Sequence, residues 1–201
     1  SSISSTGATA IDATAMAAGQ TLTTSGAGAI TVTGLVAYLD ASTASGAVDV
    51  TAGSASQSIT TGSGDDTVRT GALTTVSGAI NLGAGAADQL VITTTATNIS
   101  AATLTGVEQV NLGSGVNATM TVSQHALINT ATGTNTVSLT DAFAGAEILD
   151  AEVETFVLAA GANSVTTGAT NQNINANNLL DGEVLTLTGA NDATVAFANG
   201  D

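Results

Sequence analysis

The stretch Gly62-Ser63-Gly64-Asp65-Asp66-Thr67-Val68 has the residue types and spacing of an oxygen-donor ion site. Two glycines sit in a turn, two carboxylates follow, and a β-branched residue is placed to start a strand. Glycine reaches backbone angles closed to other residues, which lets carbonyl oxygens turn toward an ion. A carboxylate adds charge, and a hard cation such as calcium takes six to eight oxygen ligands.

The order follows the ion-binding coil pattern G-G-x-G-x-D-x-U-x, where U is a large apolar residue. Gly62, Gly64, Asp66 and Val68 fall on the pattern, and Thr61 replaces its first glycine. Weaker versions recur. Gly83-Ala84-Gly85-Ala86-Ala87-Asp88 has one extra residue before its acid, Gly113-Ser114-Gly115-Val116-Asn117 offers an asparagine, and Gly189-Ala190-Asn191-Asp192 has its acid one place early. Gly62 and Gly83 are 21 residues apart, a suitable length for one coil. Two stacked turns then make one calcium site from Gly62, Gly64, Asp65, Asp66, Gly83, Gly85 and Asp88. The glycines are expected to give carbonyls and the acids carboxylates. Ordinary solvated turns are the alternative.

The remaining polar chemistry is sparse. His125 is the only histidine, and with no cysteine a zinc site or catalytic triad is hard to assemble around it. It reads as a surface residue. Arg69 is expected to neutralise a nearby acid or to pair with a carboxylate across coils. The acids Glu147, Asp150, Glu152 and Glu154 read as a charged edge that discourages aggregation. A second cation site or a lattice contact is the alternative there. Sugar-acid lyases and glycosidases need cationic groups, spaced carboxylates or aromatic platforms, and one arginine and four aromatic residues supply little of this. No enzyme activity is expected.

Composition narrows the rest. The 201 residues include 16 acids, one arginine and no lysine, for a net charge of −15. Phosphate binding relies on Lys and Arg, so nucleic acid is not an expected partner. An anionic membrane surface would repel the chain, and no stretch approaches the roughly 18 apolar residues of a membrane span. Ser1-Ser2-Ile3-Ser4-Ser5 lacks the charged start and apolar run of a signal peptide. Ala198-Asn199-Gly200-Asp201 looks like the start of another turn, so the chain is expected to be a segment of a longer protein.

The elements that must position the candidate ligands are strands. Ala29-Ile30-Thr31-Val32-Thr33, Ala47-Val48-Asp49-Val50-Thr51, Gln89-Leu90-Val91-Ile92-Thr93, Asn135-Thr136-Val137-Ser138-Leu139 and Glu183-Val184-Leu185-Thr186-Leu187 alternate apolar with polar residues. One buried face per strand follows from that period. Proline, which would remove a ladder hydrogen bond, is absent. Short helical turns are expected at residues 12–18 and 141–149. Asp12-Ala13-Thr14, Asp40-Ala41-Ser42 and Asn175-Ala176-Asn177 each precede a glycine (Gly19, Gly46, Gly182) by six or seven residues, a diverged strand-turn-strand unit. Residues 171–178 are an Asn-rich ladder or a polar loop. Gly, Ala, Thr and Ser suit a core one or two side chains wide, as in a stacked coil. The expected fold is all-β, a parallel β-solenoid or β-roll spanning residues 1–201 as one unit. A β-sandwich adhesin domain is the alternative.

The Gly62-to-Val68 motif, the Asp-Ala-Ser/Thr units and Leu104-Thr105-Gly106-Val107-Glu108-Gln109-Val110-Asn111-Leu112 resemble the repeats of large bacterial surface proteins. These are surface-layer (S-layer) proteins and adhesins related to the calcium-binding RTX proteins. Val153-Glu154-Thr155-Phe156-Val157-Leu158 is similar to a second copy of the valine–glutamate strand element. The chain departs from the RTX pattern in carrying one good nonapeptide rather than a tandem array. The resemblance implies an extracellular, cell-surface location and export without a cleaved leader. It implies Ca2+ as the bound ion. The implied partners are further copies, neighbouring domains of the same protein, or cell-surface polysaccharide. The implied role is structural, in an S-layer lattice or extracellular fibre, with an adhesin stalk or an ice-binding module as the alternative.

Overall fold

The computed structural model describes residues 1–168, 171–189 and 191–198. Over these residues the backbone winds into about ten stacked coils, a parallel β-solenoid with almost no helix. Every strand pairing is parallel. A β-sandwich, whose sheets are antiparallel, is therefore not the architecture.

Four sheets run along the stack. Sheet A holds Ser2–Ser4, Thr21–Gly26, Tyr38–Ala44, Ile59–Thr60, Ala79–Asn81 and Thr103–Thr105. Sheet B holds Thr9–Asp12, Ile30–Leu35, Val48–Ala52, Thr67–Arg69, Gln89–Ile92, Gln109–Leu112 and Ile128–Ala131. Sheet C holds Ala96–Asn98, Asn117–Met120, Thr136–Leu139, Thr155–Val157, Gln172–Asn175 and Ala193–Ala196. Sheet D holds Glu147–Ile148, Asn163–Thr166 and Leu185–Thr188. Early coils alternate between A and B, middle coils visit A, B and C in turn, and late coils alternate between C and D.

The alternating sequence builds the core directly. On sheet B, Ile11, Val32, Val50, Val68, Leu90 and Val110 stack in register, each over the last, and all are buried. Ala118, Val137, Phe156 and Ile174 form the same kind of column in sheet C. Ala13, Ala41 and Ala176 are buried. They are the middle residues of the diverged repeat, whose flanking polar groups close tight local bonds. Asp12 Oδ1 accepts from Thr14 N at 3.0 Å and Thr14 Oγ1 at 2.7 Å, and Asp40 Oδ1 accepts from Ser42 N at 3.2 Å and Ser42 Oγ at 2.7 Å. Asn175 Oδ1 accepts from Asn177 N at 3.0 Å. Asn98-Ile99-Ser100, which the repeat alignment missed, makes the same turn. These bonds hold the Asp12 and Asp40 carboxyls below the usual range.

Two expectations are corrected. Residues 12–18 and 141–149 form no helix; the only helix among the described residues is Val122–His125. Asp12 spends its carboxylate on a local turn that competes with helix, and Asp141 spends its own on another coil, accepting from Val122 N at 2.8 Å. The observed helix starts with a capping box: Gln124 N donates to Thr121 Oγ1 at 3.2 Å, and Thr121 N donates to Gln124 Oε1 at 2.9 Å. It stands where sheet A would place its next strand, and sheet A ends at Thr103–Thr105. Of the Asn-rich stretch, Gln172–Asn175 is a strand of sheet C with Gln172 and Ile174 inside.

Candidate functional site

The two predicted turns stack as expected, one coil apart. Thr67 pairs with Gln89, so Asp66 lies directly beneath Asp88, and Glu108 lies above both in the same register. The glycines are where coil backbones touch. A Cβ on Gly62 would strike the Ala44 carbonyl, and one on Gly83 would strike the Gly62 carbonyl. Gly83 also has φ +85°, a left-handed angle that costs other residues about 1–2 kcal/mol. Gly85 sits over Gly64 in the same way, 2.5 Å separating its would-be Cβ from the Gly64 carbonyl oxygen. The Gly62 carbonyl accepts from Ala84 N at 3.0 Å, so part of its capacity is committed to the next coil.

Asp66 and Asp88 point inward and are fully buried. Asp66 Oδ1 accepts from Val48 N of the preceding coil at 2.7 Å, and Asp88 Oδ1 accepts from Asp66 N at 2.7 Å. Glu108 Oε2 continues the series by accepting from Asp88 N at 2.9 Å. Each acid thus caps the N–H that opens the strand beneath it. The second oxygen of each buried acid, Oδ2, has no hydrogen-bond partner. Burial pushes both carboxyls above the usual range, and the charges of Asp66 and Glu108 push Asp88 further. Thr61 and Gly62 beside Asp66 temper its rise without closing a bond to Oδ2.

Asparagine does the same work elsewhere without leaving an orphan. Asn135 Oδ1 accepts from Val116 N at 2.9 Å while its Nδ2 donates to Thr132 O at 2.8 Å. Asn163 Oδ1 accepts from Phe143 N at 3.1 Å while its Nδ2 donates to Gly161 O at 2.8 Å and Ala159 O at 3.1 Å. The amide nitrogen satisfies carbonyls of its own turn. An ionised aspartate has no hydrogen to offer, and the Oδ2 atoms of Asp66 and Asp88 stay without a hydrogen-bond partner.

The residues fit a cation in that limited sense. Asp66 and Asp88 would hold it through buried anionic oxygens, with turn carbonyls completing the oxygen set and the ion neutralising their repulsion. Asp65 does not converge with them. It is exposed and accepts from Ala86 N at 2.9 Å and Ala87 N at 3.2 Å. Among the described residues, no group of three or more His, Cys, Asp or Glu side chains is arranged to hold a metal ion.

The other candidates fall into place. Arg69 forms a two-pronged pair across coils, Nε to Asp49 Oδ1 at 3.2 Å and Nη2 to Asp49 Oδ2 at 3.0 Å. Of the weaker turns, Asn117 begins an exposed strand position, and Ala190 lies outside the described residues, as do Asn199, Gly200 and Asp201. An ice-binding face would need its threonines ranked on one sheet, but the Thr-x-Thr pairs at 21/23 and 103/105 lie on sheet A, 31/33 on sheet B and 186/188 on sheet D, so they form no common rank. His125 is not a surface residue. It is 3% exposed, with Phe143 and Phe156 edge-on at ring distances of 5.7 and 5.4 Å.

Reasoning from glycine spacing missed Asn135, Asn163, Glu108, Glu152 and Glu154 as caps. A usable signal was present: an acid or Asn, then a polar residue, then an apolar one, as in Asp66-Thr67-Val68, Asp88-Gln89-Leu90, Glu108-Gln109-Val110, Asn135-Thr136-Val137 and Glu154-Thr155-Phe156.

Comparison with known proteins gave no match to any family model, curated protein or solved structure.

Proposed function

We propose that this chain is a calcium-stabilised structural rod of an extracellular, cell-surface assembly, a segment of an S-layer lattice or surface fibre that associates with further copies or with neighbouring domains. The observation that carries this reading is the stack itself. In-register columns of buried side chains and capped corners make each coil a template for the next, and stability becomes a sum over neighbouring coils. About ten coils at roughly 4.8 Å each give a rod of about 50 Å. Calcium is proposed at Asp66 and Asp88, where two buried oxygens lack partners in a chain of net charge −15. At that charge the folded chain repels itself, and a divalent ion bound only by the folded form relieves the repulsion.

Melting curves in millimolar calcium and after chelation test the ion, and sedimentation with electron microscopy over a concentration series tests assembly. At free calcium 100 times the dissociation constant the expected gain is about 2.7 kcal/mol per site. Magnesium, which tolerates irregular oxygen cages poorly, is expected to give less. A melting curve indifferent to chelation removes the ion from the reading. A strictly monomeric species at every concentration with calcium present removes self-association.

A further inference from the structure

One junction in the stack is built differently from the rest. Between the coil of residues 122–139 and the coil of residues 141–157, only sheet C continues, through Thr136 on Thr155, Val137 on Phe156 and Ser138 on Val157. Sheet A has already ended at Thr103–Thr105, sheet B ends at Ile128–Ala131, and sheet D starts at Glu147–Ile148 without pairing backward. Among the described residues, no backbone–backbone hydrogen bond joins residues 122–131 to residues 141–153.

Side chains do the joining instead, and all of them titrate. Asp141 Oδ1 accepts from Val122 N at 2.8 Å. Glu152 Oε2 accepts from Ala131 N at 2.7 Å. Asp150 N donates to His125 Nε2 at 3.3 Å. Since Nε2 accepts, the ring proton sits on Nδ1, a buried atom with no partner. The ring is wedged edge-on between Phe143 of the later coil and Phe156 of sheet C. A protonated ring would carry a second N–H aimed at the Asp150 N–H, and a charge inside an aromatic wedge.

We propose that this junction is a proton-operated joint in the rod, closed while His125 is neutral and loosened when His125 takes up a proton. The acidic groups on the elements around the ring are Asp141, Glu147, Asp150, Glu152 and Glu154; Arg69 is engaged with Asp49. Glu147 favours the charged ring, but burial opposes it more strongly and holds His125 below the ordinary histidine value. The sign follows from that direction. Below about pH 6.5 an unfolded or opened histidine is protonated while the closed one is not, so closing costs more as pH falls toward the folded pKa. The joint does not depend on an ion at Asp66 and Asp88, which lie on other coils.

Native-state hydrogen exchange followed by mass spectrometry, with protection corrected for the pH dependence of intrinsic exchange, tests this on the whole chain. Between pH 7.5 and 5, peptides covering residues 122–131 and 149–153 should lose protection by up to about tenfold per pH unit, one proton being taken up on opening. The strand Gln89–Ile92 serves as the internal control and should not change in step. His125→Phe, which fills the wedge and cannot titrate, should abolish the loss of protection on acidification at the joint; any dependence left comes from Asp150, whose carboxyl burial holds above the usual range and which acts in the opposite sense. The imidazole NMR titration of the unmodified chain is an independent reading that needs no variant, and its midpoint should lie below the ordinary value, at the pH where the loss of protection levels off. Protection at the joint that tracks the control strand, an unchanged pH response in His125→Phe, or a ring titrating at the ordinary value would each overturn the proposal.

Discussion

Replacing Asp66 separates its two oxygens, because alanine and asparagine remove different things. Asp66→Ala deletes the acceptor for Val48 N, which stays buried. A buried N–H left without a partner costs about 1–3 kcal/mol. Asp66→Asn keeps that acceptor. It replaces the orphaned Oδ2 with an amide nitrogen, the atom with which Asn135 and Asn163 reach carbonyls of their own turns. It also removes a buried charge that desolvation disfavours. In chelator at pH 7, Asp66→Asn should therefore be at least as stable as the unmodified chain, while Asp66→Ala should be weaker than Asp66→Asn by about 1–3 kcal/mol. With calcium the ranking should change, because only the unmodified chain gains. The pH dependence gives a second reading. Asp66 has a folded pKa above its unfolded value, so its contribution is complete below about pH 3.9 and is lost as pH rises through the folded pKa. The unmodified chain in chelator should gain stability as pH falls from neutral toward 4, apart from the opposing effect of His125, and Asp66→Asn should gain less. Urea titrations in chelator and in calcium, at two pH values, suffice. An Asp66→Asn chain as weak as Asp66→Ala in chelator, or one that keeps the full calcium response, would refute the reasoning.

Two further expectations concern the corners. Gly83→Ala places a methyl against the Gly62 carbonyl in a left-handed conformation and should cost clearly more than the about 1–2 kcal/mol of the backbone angle alone; Gly145→Ala, where a Cβ meets nothing within 4 Å, is the matched control for thermal melting and should be near neutral. Asn135→Ala strips a fully buried cap from Val116 N, which keeps only its 3.3 Å bond to Gly113 O, and should cost about 0.5–1.5 kcal/mol, with the Val116 amide exchanging faster than its neighbours in sheet C.

The fold was legible because its rule is local. Val48-Asp49-Val50 or Gln89-Leu90-Val91-Ile92 can bury one face only as strands, and the absence of large side chains leaves no other core than a narrow one. The stacking of Gly62 under Gly83 was equally legible, from spacing alone. The direction of the acids was not. Glycine spacing says that a turn is tight, but it does not say whether the carboxylate after it faces solvent or the corner N–H of the coil below. Asp65 and Asp66 are neighbours in sequence, and one faces out and the other in. His125 was misjudged for a related reason. A lone polar ring carries no periodic signal, and its burial follows from Phe143, in the loop before Glu147–Ile148, and Phe156, on sheet C, arriving 18 and 31 residues later.

The caps also explain how an irregular period yields a regular stack. Asp66 lies 18 residues after Val48, and Asp88 lies 22 after Asp66, yet all three occupy one register position. A backbone ladder alone would let a strand slip by two residues and still bury the same face. A side chain that must find one particular N–H on the coil beneath fixes where each strand begins. The length differences are then absorbed in the corners, as between Gly62-Ser63-Gly64 and Gly83-Ala84-Gly85-Ala86-Ala87, without disturbing the columns inside. Asparagine performs this task with both amide atoms engaged, whereas Asp66 and Asp88 each leave Oδ2 without a hydrogen-bond partner. On the proposed reading, the coils capped by Asp66 and Asp88 would respond to ions and those capped by Asn135 and Asn163 would not.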